Sequence, residues 1–303
     1  MKNNIFQKNI LLKNYTTFKI GGPAKYFLAV KNKKELIEAI KSAKKIKLPV
    51  FILGGGSNVL FPDKGFNGLV IKMENSKLNL LSRNTVYVEA GVNSAKLVKF
   101  ATDNSLSGIE WFTGIPGTVG GAIFGNAQAF GFKMSDSIES VEVLNLKTLK
   151  LFKLSNQQCK FSLKNSIFKK NAVRGTGQNF VIVSAVLKLK KGKKQKIKER
   201  IKEYIDYRKK CHPIKFPSAG SVFVNPEKKV KNKKEIIHAA YLIESCGLKG
   251  KKSGGAQISE QHANFIVNLG SAKAKDVLHL IKLAKQKVKK MFNINLEQEI
   301  IWR

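Results

Sequence analysis

At 303 residues, 43% of them hydrophobic, the chain is long enough to bury a sizeable core in two or three compact domains. The formal charge of +36 would ordinarily point to nucleic acid or an anionic surface, but among 56 basic residues only Arg83, Arg174, Arg200, Arg208 and Arg303 are arginines. Readers of bases and phosphates favour the arginine fork, so lysine spread along the whole chain reads as compositional drift, and no nucleic-acid partner is expected.

In chain order, a strand is expected over Tyr26 to Val30. A helix follows over Lys34 to Lys45, where Leu36, Ile40 and Ala43 recur at helical spacing, and Val50 to Leu53 returns as strand. That strand ends in a glycine loop, Gly54-Gly55-Gly56-Ser57-Asn58. Leu69 to Met73 adds another strand. Thr85 to Ala90 alternates as a half-buried strand, and a helix starts at Ser94 as N-cap, with Leu97, Val98 and Ala101 on one face. A second, longer glycine loop runs from Gly114 to Gly131. Strands are expected at Ile138 to Leu144, Leu149 to Leu154 and Phe180 to Leu189, the first two joined as a hairpin through Asn145 to Thr148.

After the lysine block 190–196, Ile197, Ile201, Tyr204 and Ile205 form a helical stripe that stops before His212-Pro213. The block 228–234 is read as a solvated loop or helix start. Further helices are expected at Glu235 to Cys246 and Ala272 to Met291, with strands at Asn264 to Asn268 and Leu296 to Trp302. Mixed strands with few helices give an α+β fold. The expected domains are 1–75, 76–192 and 193–293, with 294–303 returning to the first.

The glycine loops carry the chemistry. Gly114 to Gly131 contains six glycines and a proline where a core segment would carry apolar side chains, so its backbone is the working surface. Without Cβ atoms, N–H groups can close on an anion. Two such loops, with hydroxyls at Ser57 and Thr118 and an amide at Asn58, favour a phosphate-bearing cofactor, although each alone also reads as a tight turn. Neither is a Walker loop. Gly54 is followed by Val59-Leu-Phe-Pro-Asp63, which cannot open the long helix of a Rossmann fingerprint. Cys159, Cys211 and Cys246 are widely spaced and never in a CxxC pair, so neither a disulfide framework nor a metal site is indicated. No run approaches the ~18 apolar residues of a membrane span, and the N-terminus lacks a signal-type apolar core. A cytoplasmic protein without membrane association is expected.

Seven motifs in order carry a resemblance: Thr17-Phe-Lys-Ile-Gly-Gly22, Gly54-Gly-Gly-Ser-Asn58, Gly114-Ile-Pro-Gly-Thr-Val-Gly-Gly-Ala122, Ala219-Gly-Ser-Val-Phe223, Gly254-Gly-Ala-Gln-Ile-Ser259, His262-Ala-Asn264 and Leu296-Glu-Gln-Glu299. Together they resemble the UDP-N-acetylenolpyruvoylglucosamine reductase family over nearly the full chain. The resemblance implies a two-part FAD-binding region of the vanillyl-alcohol-oxidase (PCMH) type and a C-terminal α+β substrate-binding domain. It implies noncovalent FAD, NADPH as hydride donor and a UDP-sugar substrate; a monomer is expected. Carried onto this sequence, the cofactor residues are Gly54, Gly55, Gly56, Ser57, Asn58, Gly114, Pro116, Gly117, Thr118, Val119, Gly120, Gly121, Ala122 and Asn126. The family's proton donor falls on Ser221 and its C-terminal catalytic glutamate on Glu299.

One departure matters. Lys164, in Leu163-Lys-Asn-Ser166, stands where the family has a catalytic arginine, and lysine keeps the charge but loses the planar, two-pronged donor. Lys164 is expected to pair with the enolpyruvyl carboxylate. Val224, His212 and Gln261 replace a basic residue, a glutamine and a lysine of the family pattern, and Leu163 replaces a tyrosine. The short segment Tyr207 to Ser218 resembles the branch without a long tyrosine-bearing loop. A second reading keeps the fold without the chemistry, as a catalytically impaired or basic polyanion-binding protein. A third is a flavin oxidase acting on another substrate.

Overall fold

The computed structural model describes residues 5–173, 179–230 and 233–303. The chain forms two compact units, the first from residues up to Gln7, Tyr26–Gly55 and Gly68–Tyr207, the second from Lys8–Lys25, Gly56–Asn67 and Arg208–Arg303.

In the first unit, strands Pro23–Val30, Phe66–Met73 and Val50–Leu53 lie side by side in that order, the last two parallel with Leu53 opposite Lys72. Helix α1, Lys33–Lys45, starts at Asn32, whose side chain accepts from the Glu35 N–H at 3.0 Å while the Glu35 carboxylate takes the Lys31 N–H at 2.7 Å. It buries Leu36, Ile40 and Ala43, the residues read from the sequence, and adds Ala39 to complete an i, i+3, i+4, i+7 stripe.

A five-stranded antiparallel sheet follows, in the order Leu151–Ser155, Ile138–Asn145, Phe180–Lys188, Thr85–Glu89 and Leu78–Leu80. Val86, Val88, Val141, Val143, Val181 and Val183 from three of its strands are buried in one core with Trp111, Phe112 and Phe168. The Lys33 ammonium meets the Glu142 carboxylate at 2.6 Å, which links α1 to the sheet.

Two expectations shift here. The hairpin's second strand begins at Leu151 rather than Leu149, because the Asn145 side-chain oxygen accepts from the N–H groups of Lys147 and Thr148, and Leu149 turns left-handed at φ 58°. Helix α2, Ser94–Asp103, is capped by Asn93, which accepts from the Lys96 N–H at 2.8 Å. Ser94 lies inside the helix, and its hydroxyl donates to the Ile115 carbonyl at 2.5 Å. Helices α3 (Val119–Phe124) and α4 (Ile167–Val173) follow, and the chain leaves the unit along α5, Lys194–Cys211.

The second unit is built on a sheet in the order Ser218–Ser221, Phe265–Asn268, Ala256–Ile258, Lys252–Ser253. Helices α6 (Ala239–Ser245) and α7 (Ala274–Phe292) bury Leu242, Ile243, Val277, Leu280 and Ile281 in a core shared with Phe18, Ile20, Leu60 and Phe223. The chain ends on strand Ile301–Trp302, parallel to Val59–Leu60.

The helix expected from Glu235 starts four residues later. Lys233–Ile236 pairs as a strand with Glu227–Val230, so the 228–234 block is mostly hairpin, its residues 231 and 232 lying outside the described residues. The Asn225 side chain accepts from the Ala239 N–H at 3.0 Å and sets the helix start there.

Candidate active site

Gly54 and Gly55 of the first glycine loop named from the sequence meet the second loop inside the first unit. Gly55 lies flat against the second loop: a Cβ there would sit 2.4 Å from the Gly117 Cα and 3.2 Å from the Thr118 nitrogen. A Cβ on Gly54 would fall 2.6 Å from the Thr118 Oγ1. That hydroxyl accepts from the Gly121 N–H at 3.4 Å, with Thr118 as the N-cap of α3.

Backbone bonds from neighbouring elements hold the second loop. The Val119 N–H donates to the Val92 carbonyl, Gly120 to Ala90, and the Ser94 N–H to the Gly117 carbonyl, at 2.8 to 3.2 Å. The N–H groups of Gly55 and, in the second loop, of Gly117 and Thr118 donate to no protein acceptor among the described residues. Gly114, Pro116 and Gly121 are exposed, while Thr118, Val119 and Ala122 are buried. Closely packed glycine loops with backbone amides that have no protein acceptor are the features a diphosphate-binding cradle needs.

Lys72 went unnoticed in the sequence. Its ammonium donates to the Gly54 carbonyl, and burial lowers its pKa, with Glu74 opposing that shift. A lone cation in the apolar run Leu69 to Met73, at the carboxyl end of a parallel strand, was the signal available.

Lys164 occupies a tight turn in the same unit. The N–H and C=O groups of Ser162 and Asn165 exchange bonds at 3.0 and 3.2 Å, and Lys164 is left-handed at φ 50°. Asn126, at the end of α3, is buried with both side-chain atoms used: its amide N–H donates to the Ser162 carbonyl at 2.9 Å, and its oxygen accepts from the Ser135 N–H at 3.1 Å. The Ser166 hydroxyl donates to the Phe124 carbonyl at 2.7 Å.

In the second unit, Ser221 ends its strand opposite Phe265, and the register slips between Ser218 and Ser221, where Gly220 takes φ 76°. Glu299 is brought close to it in the chain's pairing. The Glu299 N–H donates to the Val222 carbonyl at 2.8 Å, and the Val224 N–H to the Glu297 carbonyl at 2.9 Å. The loop residue Asn58 joins them, its side-chain amide donating to the Glu299 carbonyl at 3.3 Å and its own carbonyl accepting from Ile301 at 3.0 Å. Gly56 is locked by close approach: at φ 66°, a Cβ would sit 2.0 Å from the Tyr15 carbonyl oxygen.

Asn264 fixes the stretch after Ser221. Its side chain accepts from the Phe223 N–H and donates to the Phe223 carbonyl, both at 2.9 Å, like a strand neighbour. His212, His262 and Phe265 form a cluster with ring centroids 4.9 to 5.5 Å apart. Burial, Arg208 and His262 push the His212 pKa down to about 4, and burial lowers that of His262. Gln261 spends its side-chain amide on the last carbonyls of α5, at Lys209 and Lys210.

Residues 24–154 match the model of an FAD-binding domain, so the cradle belongs to a flavoprotein of α+β architecture. Residues 212–302 match the model of the C-terminal domain of UDP-N-acetylenolpyruvoylglucosamine reductase. Proteins of that name from Clostridium novyi and Alkaliphilus oremlandii are 38% and 40% identical to the chain, covering 97% and 95% of it and 91% and 90% of their own lengths. The solved UDP-N-acetylenolpyruvylglucosamine reductase of Thermus caldophilus superposes with a TM-score of 0.79 at 34% identity, over 98% of this chain and 99% of that one. The chain belongs to the UDP-N-acetylenolpyruvoylglucosamine reductase family.

Proposed function

We propose that the protein reduces UDP-N-acetylglucosamine enolpyruvate to UDP-N-acetylmuramate with NADPH, a step of peptidoglycan precursor synthesis, acting as a cytoplasmic monomer. Bound FAD supplies the hydride carrier between NADPH and the enolpyruvyl double bond. The main-chain amides of the segments Gly54–Asn58 and Gly114–Ala122 hold its diphosphate. The observation that carries this reading is the contact of Gly55 with Gly117, too close for any side chain, beside amides with no acceptor of their own.

The chain's own groups have separable tasks in this reading. The Lys164 ammonium pairs with the substrate carboxylate and stabilises the charge that spreads onto it as hydride adds to the terminal carbon. The Ser221 hydroxyl gives a proton to the adjacent carbon, completing addition of hydride and proton across the double bond. Glu299 carries the role of the family's C-terminal glutamate, beside the Ser221 strand. Purified protein should be yellow, should bleach with NADPH in the absence of oxygen, and should regain colour when the enolpyruvyl UDP-sugar is added. Colourless protein that FAD cannot reconstitute, or colour returned by oxygen but not by the UDP-sugar, would refute it.

A further inference from the structure

Lys164 is an unusual place for a lysine. Its backbone sits in the left-handed region at φ 50°, a conformation that strains an L residue by about 1–2 kcal/mol and persists where the surroundings over-determine it. Those surroundings can be named. Two residues before Lys164, the Ser162 carbonyl receives the Asn126 side-chain amide at 2.9 Å; two residues after it, the Ser166 hydroxyl reaches the Phe124 carbonyl at 2.7 Å. The Lys169 ammonium donates to the carbonyl of Lys164 itself at 3.0 Å.

The turn is thus hung at both ends from residues 124–126, the tail of the glycine-loop helix. Asn126 lies in the glycine-rich segment and shares its chemistry by sequence, yet both polar atoms of its side chain are spent inside the protein. Its amide faces the lysine turn. A lysine ammonium on four rotatable bonds is a less organised partner for a carboxylate than an arginine fork, so the backbone beneath it has more to hold in place.

We infer that Asn126 is a positioning residue for Lys164, with Ser166 as the second support, and that neither contacts the cofactor through its side chain. This rests on the assignment of Lys164 to the substrate carboxylate. The test compares Asn126→Asp, Ser166→Ala and Lys164→Met in the full-length protein, alone and as double variants. Three quantities are read: the dissociation constant for FAD by fluorescence titration of the apoprotein, the dissociation constant for the enolpyruvyl UDP-sugar by calorimetry, and the rates of flavin reduction by NADPH and of reoxidation by that substrate.

Asn126→Asp removes the donor and keeps the acceptor. It should weaken substrate binding and slow reoxidation by about tenfold each, with FAD affinity and reduction by NADPH within about twofold. Ser166→Ala should do the same more weakly. In the Lys164→Met background neither should add a further loss, since the support has nothing left to aim. Additive losses with Lys164→Met, or a loss of FAD affinity in place of substrate affinity, would overturn the inference while leaving Lys164 in its role. Undiminished substrate binding and turnover in Lys164→Met would remove the role of Lys164 and the inference with it. Should Asn126→Asp fail to fold, Ser166→Ala decides on the same readings.

Discussion

Gly55 offers the sharpest test of the cradle. An alanine there would place its Cβ 2.4 Å from the Gly117 Cα, against the 3.4–4 Å of an ordinary contact, so the two loops must part by about 1 Å. Both neighbours are backbone and cannot rotate away. Overpacking of this kind costs about 1–3 kcal/mol, and because the displaced atoms belong to the surfaces proposed to grip the diphosphate, FAD affinity should fall about ten- to hundredfold. Two companions calibrate the series. Gly54→Ala is overpacked against the Thr118 Oγ1 alone, at 2.6 Å, with Gly121 at an ordinary 3.8 Å, and should cost about 1 kcal/mol through the lost cap of α3. Gly125→Ala meets nothing nearer than the Gly121 carbonyl oxygen, at 3.8 Å, and should be silent. Fluorescence titration of FAD into each apoprotein, beside its melting temperature without FAD, separates binding from folding. Gly55→Ala binding FAD within about twofold of the unaltered protein would refute the reasoning, because a diphosphate cradle cannot open by about 1 Å unnoticed.

Ser221→Ala should lower turnover by about a hundredfold or more while FAD titration and reduction by NADPH stay unchanged; turnover within about threefold would remove Ser221 as proton donor. His212 is held near pKa 4 against about 6.5 unfolded, so the unfolded chain binds more protons between those values. Its contribution is full above about pH 6.5 and is lost as pH falls toward 4; the shift corresponds to about 3 kcal/mol, discounted for partial exposure to about 1–2. Melting temperatures across that window should drop with acid, and His212→Gln should flatten the drop; an unchanged slope in that variant would contradict the assignment. Asn264→Ala strips the Phe223 N–H and C=O of their buried partner and should destabilise the second unit by about 2–4 kcal/mol in urea unfolding, against no change if solvent replaces the amide freely.

What could be read from the sequence was what single residues report about themselves. The alternation of Val86 and Val88, the stripe of Leu36, Ile40 and Ala43, and the two glycine loops each follow from burial or from a missing Cβ, and the structure has them where periodicity put them. The misplaced boundaries have a different cause. Asn93 caps α2 one residue before Ser94, Asn145 redraws a hairpin loop and Asn225 starts α6 from outside that helix; in each case a side-chain amide chose the end that composition left open. Amides recur around each of the residues proposed for catalysis for the same reason. Asn58, Asn126 and Asn264 reach across 241, 36 and 41 residues of sequence to backbone groups next to Glu299, Lys164 and Ser221. No spacing rule carries such partnerships, because one asparagine satisfies a backbone donor and acceptor in any strand, turn or loop it can touch. The residues assigned chemistry in the proposed reaction can therefore be replaced in kind, as the role proposed for Lys164 requires, so long as the amides beneath them keep the backbone in register; loss of those amides should prove harder to tolerate than the exchange itself.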